Sequence, residues 1–255
     1  MFSVQPKVEI CTYSLSSVQI ADRAGAHRVE LCTSPWDGGT TPSTGMIKAA
    51  LATTSIEIHA MLRPRGGDFC YSETEKDEIR YELESLLEVG VHGVVFGALL
   101  PNGDPDVRFL QEIKNLVGNR SITCHRAIDV ARDTVGMVDV LVDLGFQRIL
   151  TSGQCNKAID GIETIAEMVE RSNHRIEIMA GSGVNANNCL EFLKIGCDAI
   201  HLSARKSAHG LMEFKKQGIS MGGLDGISEF EVFYSDVDII RHIIEQVISH
   251  TIHNA

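Results

Sequence analysis

The chain has 255 residues, 44% of them apolar, and a formal net charge of −11. That balance excludes a duplex-binding surface, which needs clustered Lys and Arg; the longest basic cluster here is Lys215-Lys216. No apolar run reaches membrane-span length, and residues 1–6 lack the charged-then-apolar form of a secretory signal, so an intracellular chain with reduced thiols is expected.

Along the chain, short apolar runs alternate with amphipathic stretches. The pattern predicts strands near 7–12, 27–32, 56–63, 92–97, 121–126, 147–152, 175–180 and 198–203. It predicts helices near 15–24, 44–52, 73–89, 106–116, 133–143, 157–171, 186–195 and 236–252. Four helix ends share one form: Ala-Gly25-Ala-His-Arg-Val, Val-Gly90-Val-His-Gly-Val, Leu-Gly145-Phe-Gln-Arg-Ile and Ile-Gly196-Cys-Asp-Ala-Ile. Each glycine suits the left-handed position after a helix, with a short turn into a strand behind it. Eight such units and no second domain predict a single α/β domain over residues 1–255, a closed (β/α)8 TIM-type barrel. An open doubly wound sheet is the alternative, weakened by the missing Gly-x-Gly-x-x-Gly after the first strand. Residues 206–235 form a long glycine-bearing connection with Gly210, Gly218, Gly222, Gly223 and Gly226, read as a lid or binding loop or else as a plain excursion or subunit contact.

The segment from His59 to Tyr71, His-Ala-Met-Leu-Arg-Pro-Arg-Gly-Gly-Asp-Phe-Cys-Tyr, organises the rest. Pro64 ends its strand, Gly66 and Gly67 let the backbone turn, and Arg63 and Arg65 are left at the C-terminal end, where parallel α/β proteins hold their sites. With the apolar parity facing the helices, the other parity points Glu9 and Cys11, Glu30 and Cys32, then His59, Met61 and Arg63 into the barrel. Thr123 and His125 follow on the fifth strand and His201, Ser203 and Arg205 on the eighth. Barrels usually fill that space with branched apolar side chains. So many ionisable groups point to perturbed pKa values and a catalytic site; a structural ion-pair network is the plainer alternative.

The candidate catalytic groups are Glu9, Glu30, His59, Arg63, His125, Asp129 and His201, with Asp129 placed to orient a neighbouring imidazole or arginine. The seventh strand runs into Gly181-Ser182-Gly183, with Asn185 read as a helix N-cap. With Arg65, Ser203 and Arg205 this forms a candidate anion cradle, since the loops after strands seven and eight are the usual phosphate site of barrels. Among the seven cysteines, at 11, 32, 70, 124, 155, 189 and 197, there is no Cys-x-x-Cys, which argues against a zinc ribbon or thioredoxin motif. Cys11 and Cys32 nevertheless occupy matching positions on adjacent strands, and with Met61 nearby they suit a soft ion such as Cu(I) better than Mg2+ or Ca2+. Two small buried cysteines are the simpler reading.

At these residues the chain closely resembles the CutC family, named for a role in copper homeostasis. The resemblance is carried by Val8-Glu-Ile-Cys11, Arg28-Val-Glu-Leu-Cys32, Gly38-Gly-Thr-Thr-Pro-Ser43, Met61-Leu-Arg-Pro-Arg-Gly-Gly-Asp-Phe69, Val94-Val-Phe-Gly97, His125-Arg-Ala-Ile-Asp129, Ile149-Leu-Thr-Ser-Gly153 and Ser203-Ala-Arg205. It implies a TIM-like barrel, a cytoplasmic location, a homo-oligomer and a Cu(I) site that carries onto Cys11 and Cys32. Ser182 departs from the family's Ala-Gly-Gly-Gly, and Cys124 and Ile128 replace aromatics. The resemblance implies a copper-handling protein. The polar interior implies the alternative, an isomerase, lyase or hydrolase acting on a small anionic or phosphorylated metabolite.

Overall fold

The computed structural model describes residues 5–216, 218–219 and 228–254; Gly222, Gly223 and Gly226 of the long connection lie outside the described residues. In chain order the first half of the barrel is β1 (Lys7–Thr12), α1 (Leu15–Ala24), β2 (Arg28–Leu31), α2 (Thr44–Thr53), β3 (Glu57–Met61), α3 (Glu73–Val89), β4 (Gly93–Val95) and α4 (Val107–Val117). The second half is β5 (Ser121–Cys124), α5 (Thr134–Asp143), β6 (Arg148–Thr151), α6 (Ile162–Ser172), β7 (Glu177–Gly181), α7 (Cys189–Lys194) and β8 (Ala199–Leu202). β9 (Arg205–His209), β10 (Glu231–Ser235) and α8 (Val237–Asn254) complete the chain. The strands β1 to β8 are parallel, each bonded to the next, and β8 returns to β1 with Glu9 beside His201. The (β/α)8 barrel is therefore closed, and the open-sheet alternative falls.

Helix starts follow the side-chain oxygens. Ser14, Ser43, Asp106 and Asp133 each accept from a first-turn N–H, and Ser72 with Glu75 forms a capping box at α3. The four repeated helix-end glycines all have positive φ, from +77° to +92°, so the shared sequence form is a shared turn. The third residue after each enters the barrel interior from an even strand: Arg28, Gly93, Arg148 and Ala199.

The long connection is a correction to the sequence reading. It holds an antiparallel hairpin, β9 against β10, with Arg205 paired to Ser235 and His209 to Glu231. Every residue of β9 is exposed, so no apolar alternation betrays it. Asn185 is a second correction. The residue at the start of α7 is Asn188, whose Oδ1 accepts from the Asn185 N–H at 2.8 Å.

Two separate apolar regions result. The main core lies between sheet and helices, built on the parity of Val8, Ile10, Val29, Leu31, Ile58 and Ala60. Inside the barrel only small patches are apolar: Cys11, Cys32, Met61 and Val95 on one side, Leu150, Met179 and Ala199 on the other. Polar groups fill what remains. Gly93 makes room for one of them, because a Cβ there would lie 2.8–2.9 Å from the His59 ring. Gly93→Ala is therefore expected to cost about 1–3 kcal/mol of stability through overpacking. Urea unfolding measures this; an unchanged midpoint would mean that the His59 ring has space to move.

Candidate functional site

The interior polarity begins at the barrel floor. Arg28 has no exposed surface and joins the carboxylates of Glu9 and Glu177. Glu177 also takes Arg148, at 2.6 Å, and Arg148 reaches Thr123 Oγ1 at 2.8 Å and His59 Nδ1 at 3.2 Å. Burial leaves His59 neutral, its pKa pushed down to about 3. Burial also opposes the charge on Glu9, but Arg28, His201 and Arg148 together outweigh it, and the carboxyl lies well below its ordinary range.

One layer higher, Glu9 Oε1 lies 2.7 Å from His201 Nδ1, and His201 Nε2 lies 3.7 Å from Glu30 Oε2. Burial works against the imidazolium, yet Glu30, Cys11 and Glu9 together raise His201 well above its ordinary value. Its proton contributes stability that is complete below pH 6.5, the unfolded value, and is lost as pH rises through the higher folded value. Glu30 Oε2 accepts from Cys11 Sγ at 3.2 Å and Cys32 Sγ at 3.5 Å, while its Oε1 is buried without a partner. Burial and the neighbouring sulfur push the Glu30 carboxyl well above its ordinary value. The hydrogen bond from Cys32 pulls Cys11 below the usual thiol range, and burial raises Cys32.

These layers open upward into a cavity of about 470 Å3 at the C-terminal ends of the strands. Of the sequence-predicted residues, Cys11, Glu30, Arg63, His125, Ser182, Gly183, His201, Ser203 and Arg205 line it. His125 Nδ1 accepts from the Ala127 N–H at 3.2 Å, which puts the ring proton on Nε2, a buried donor with no partner. Burial, then Arg63, lowers the His125 pKa to about 3. The Arg63 side chain is held by the carbonyls of Asp37 and Gly67 at 2.7 Å and Gly39 at 3.1 Å and lies over the Phe69 ring. It meets no carboxylate among the described residues. Arg205 likewise has no ion pair there; its guanidinium rests over Trp36 at 4.8 Å and Phe233 at 5.1 Å. Gly183 and Val184 line the same wall, and their N–H groups have no acceptor among the described residues.

Other expected site residues lie elsewhere. Arg65 is not on the cavity wall: Glu75 and Asp68 neutralise its guanidinium, so it is unsuited to an anion. The Asp129 carboxylate is occupied by Thr151 Oγ1 at 2.6 Å, the Ser152 N–H at 3.0 Å and Arg126 Nε at 2.8 Å, so it braces the β6 end and orients Arg126, which does line the cavity. Glu9, His59, Cys32 and Gly181 lie below or behind the wall. A Cβ at Gly181 would come within 2.5 Å of Leu150 Cδ1, so that glycine serves packing more than ligand approach.

Sequence reasoning missed Arg28, Arg148 and Glu177. A signal existed for the arginines, since both occupy the third position after the repeated glycine. Glu177 has the inward parity of its strand. Arg126 and Tyr13 were also missed; they sit past the strand ends, where parity gives no guidance.

Two groups of donor atoms lie close enough to share a metal ion: Cys11, Glu30 and Cys32, and Glu9, Glu30 and His201, each within 4.8 Å of one another. The first set, with Met61 in the same sulfur-rich patch, fits a soft monovalent ion.

No helix among the described residues is long and apolar enough to cross a membrane. Known proteins resemble the chain closely. The CutC family model matches residues 6–206. A CutC family protein of Parabacteroides distasonis is 44% identical over 236 residues, 92% of this chain and 97% of the relative. A solved structure named for copper homeostasis, CutC from Streptococcus agalactiae, superposes with a TM-score of 0.74 at 34% identity, covering 78% of this chain and 98% of that one. A thiamine phosphate pyrophosphorylase from Pyrococcus furiosus shares the fold, with a TM-score of 0.59 at 16% identity, covering 96% and 97%. The family-model match over residues 6–206 and the 44% identity through 92% of the chain have one meaning: this chain belongs to the CutC family.

Proposed function

We propose that the chain is an enzyme that binds a small anionic, phosphorylated metabolite at the strand ends and moves a proton on it, in an isomerase, lyase or hydrolase reaction. One observation carries this reading. His201 Nε2 lies 3.7 Å from Glu30 Oε2 in a cavity that Arg63 and Arg205 line without carboxylate partners among the described residues. Arg63, Arg205, Ser182, Gly183 and Ser203 bind the anion. His201 and Glu30 exchange the proton, Glu9 positions His201, and the His125 Nε2–H stabilises developing negative charge. A carrier of a bare ion needs neither that volume nor those cations. Proton exchange is read directly by NMR, as loss of C–H signal from a panel of phosphorylated carbonyl compounds in D2O. Exchange is expected with the wild-type chain and about 100-fold less with His201→Asn. Equal rates in the two proteins, or no exchange with any phosphorylated compound, would contradict the assignment.

A second reading rests on a separate observation, the convergence of Cys11 and Cys32 on Glu30 with Met61 beside them. Here the thiols hold Cu(I) as cargo, in keeping with the name of the structural relative. Titration of the reduced protein with Cu(I) against a competing chelator tests it. Replacing both cysteines by serine is expected to abolish high-affinity binding, and an unchanged affinity would remove copper from the account. For either reading we propose a cytoplasmic location, supported by seven unpaired cysteines, and a homo-oligomer, supported by the family resemblance.

A further inference from the structure

We infer that the ligand of this cavity carries an anionic group at each end, one received by Arg63 and the other by the Gly183 and Val184 amides with Arg205. The inference rests on the anion-binding reading above and narrows it. In the closed ring β3 and β7 are four strands apart, on opposite walls. Arg63 follows β3; Gly183 and Val184 follow β7; Arg205 follows β8, the neighbour of β7. All of them line one cavity.

Arg63 is 5% exposed, its Nε has no hydrogen-bond partner among the described residues, and only carbonyl dipoles and the Phe69 ring meet its charge there. A buried guanidinium without an anion is costly, so the wall is incomplete as it stands. Across the mouth, the N–H groups of exposed Gly183 and buried Val184 have no acceptor among the described residues and are open to an anion. Beside them the Arg205 guanidinium sits against the nearly perpendicular rings of Trp36 and Phe233, at 4.8 Å and 5.1 Å, and has no ion pair among the described residues. A single anion satisfies one wall and leaves the other as it was.

The acid–base groups stand between the two walls. Cys11, Glu30 and His201 come from β1, β2 and β8, and His125 comes from beyond β5, facing them. A ligand anchored at both ends therefore holds its middle against the groups that move protons. Phosphate and carboxylate ends share the required chemistry, and the probes below separate them.

Calorimetric titration of the full chain tests this with inorganic phosphate, alkyl monophosphates, α,ω-alkanediol bisphosphates and ω-phosphoalkanoates with spacers of about three to six carbons. At least one two-ended compound is expected to bind about tenfold or more tightly than the monophosphate of equal length. Bisphosphate or phosphoalkanoate as the tighter series identifies the second end. Arg205→Ala, a change at an exposed side chain, is expected to remove most of that advantage. Two-ended compounds no tighter than monophosphates would overturn the inference and leave the anion-binding reading standing, as would an Arg205→Ala protein that keeps the full advantage. No binding of any phosphate would defeat both.

Discussion

Arg28 is sealed in the floor of the barrel, and the layers above build on that guanidinium. With His201 and Arg148 it holds the Glu9 carboxylate ionised where burial alone would protonate it. Glu9 in turn fixes His201 through Nδ1, and His201 directs its other nitrogen toward Glu30. Glu30 receives both thiols. A buried ion pair adds little to stability by itself, whereas removing one partner leaves an unpaired charge that costs about 3–5 kcal/mol. The column of charge is thus more readily explained as a device for setting protonation states at the cavity than as scaffolding.

Much of this could be read from the residues. Parity along β1, β2, β3 and β8 identified the inward side chains, because the outward neighbours Val8, Ile10, Val29, Leu31 and Ile58 are uniformly apolar and pack under the helices. The barrel followed from the regular alternation and the glycine-ended helices. What escaped were groups whose partners are remote in sequence. Arg28 meets Glu177 across 149 residues, and local pattern cannot announce that contact. Arg65 is kept from the cavity wall for the opposite reason, and Asp129 acts only through Arg126, the arginine it orients. Each is satisfied by neighbours in its own loop or the adjoining one, and residue type alone does not reveal a group already taken. The hairpin of β9 and β10 was hidden because its first strand is polar and exposed on every residue.

The cavity joins two chemistries that are usually separate. On its lower side lie two thiols and a thioether, suited to a soft ion. On its upper rim lie arginines and free amides, suited to oxyanions. Cys11 and Glu30 line the cavity, so an ion held there would touch any ligand bound above. Family membership secures the fold and the residues without deciding between them. Barrels of the same shape with little sequence in common include an aldolase and a thiamine phosphate pyrophosphorylase, so function is decided by the side chains.

The most direct test of this account is the protonation state of the three interior histidines, read from the ring-nitrogen shifts of labelled protein by NMR between pH 5 and pH 8. The account predicts His201 protonated on both nitrogens throughout, with His59 and His125 neutral, the latter carrying its proton on Nε2. A neutral His201 at pH 7 would contradict it, since the ionised Glu9 would then be failing to hold the charge on which the site depends.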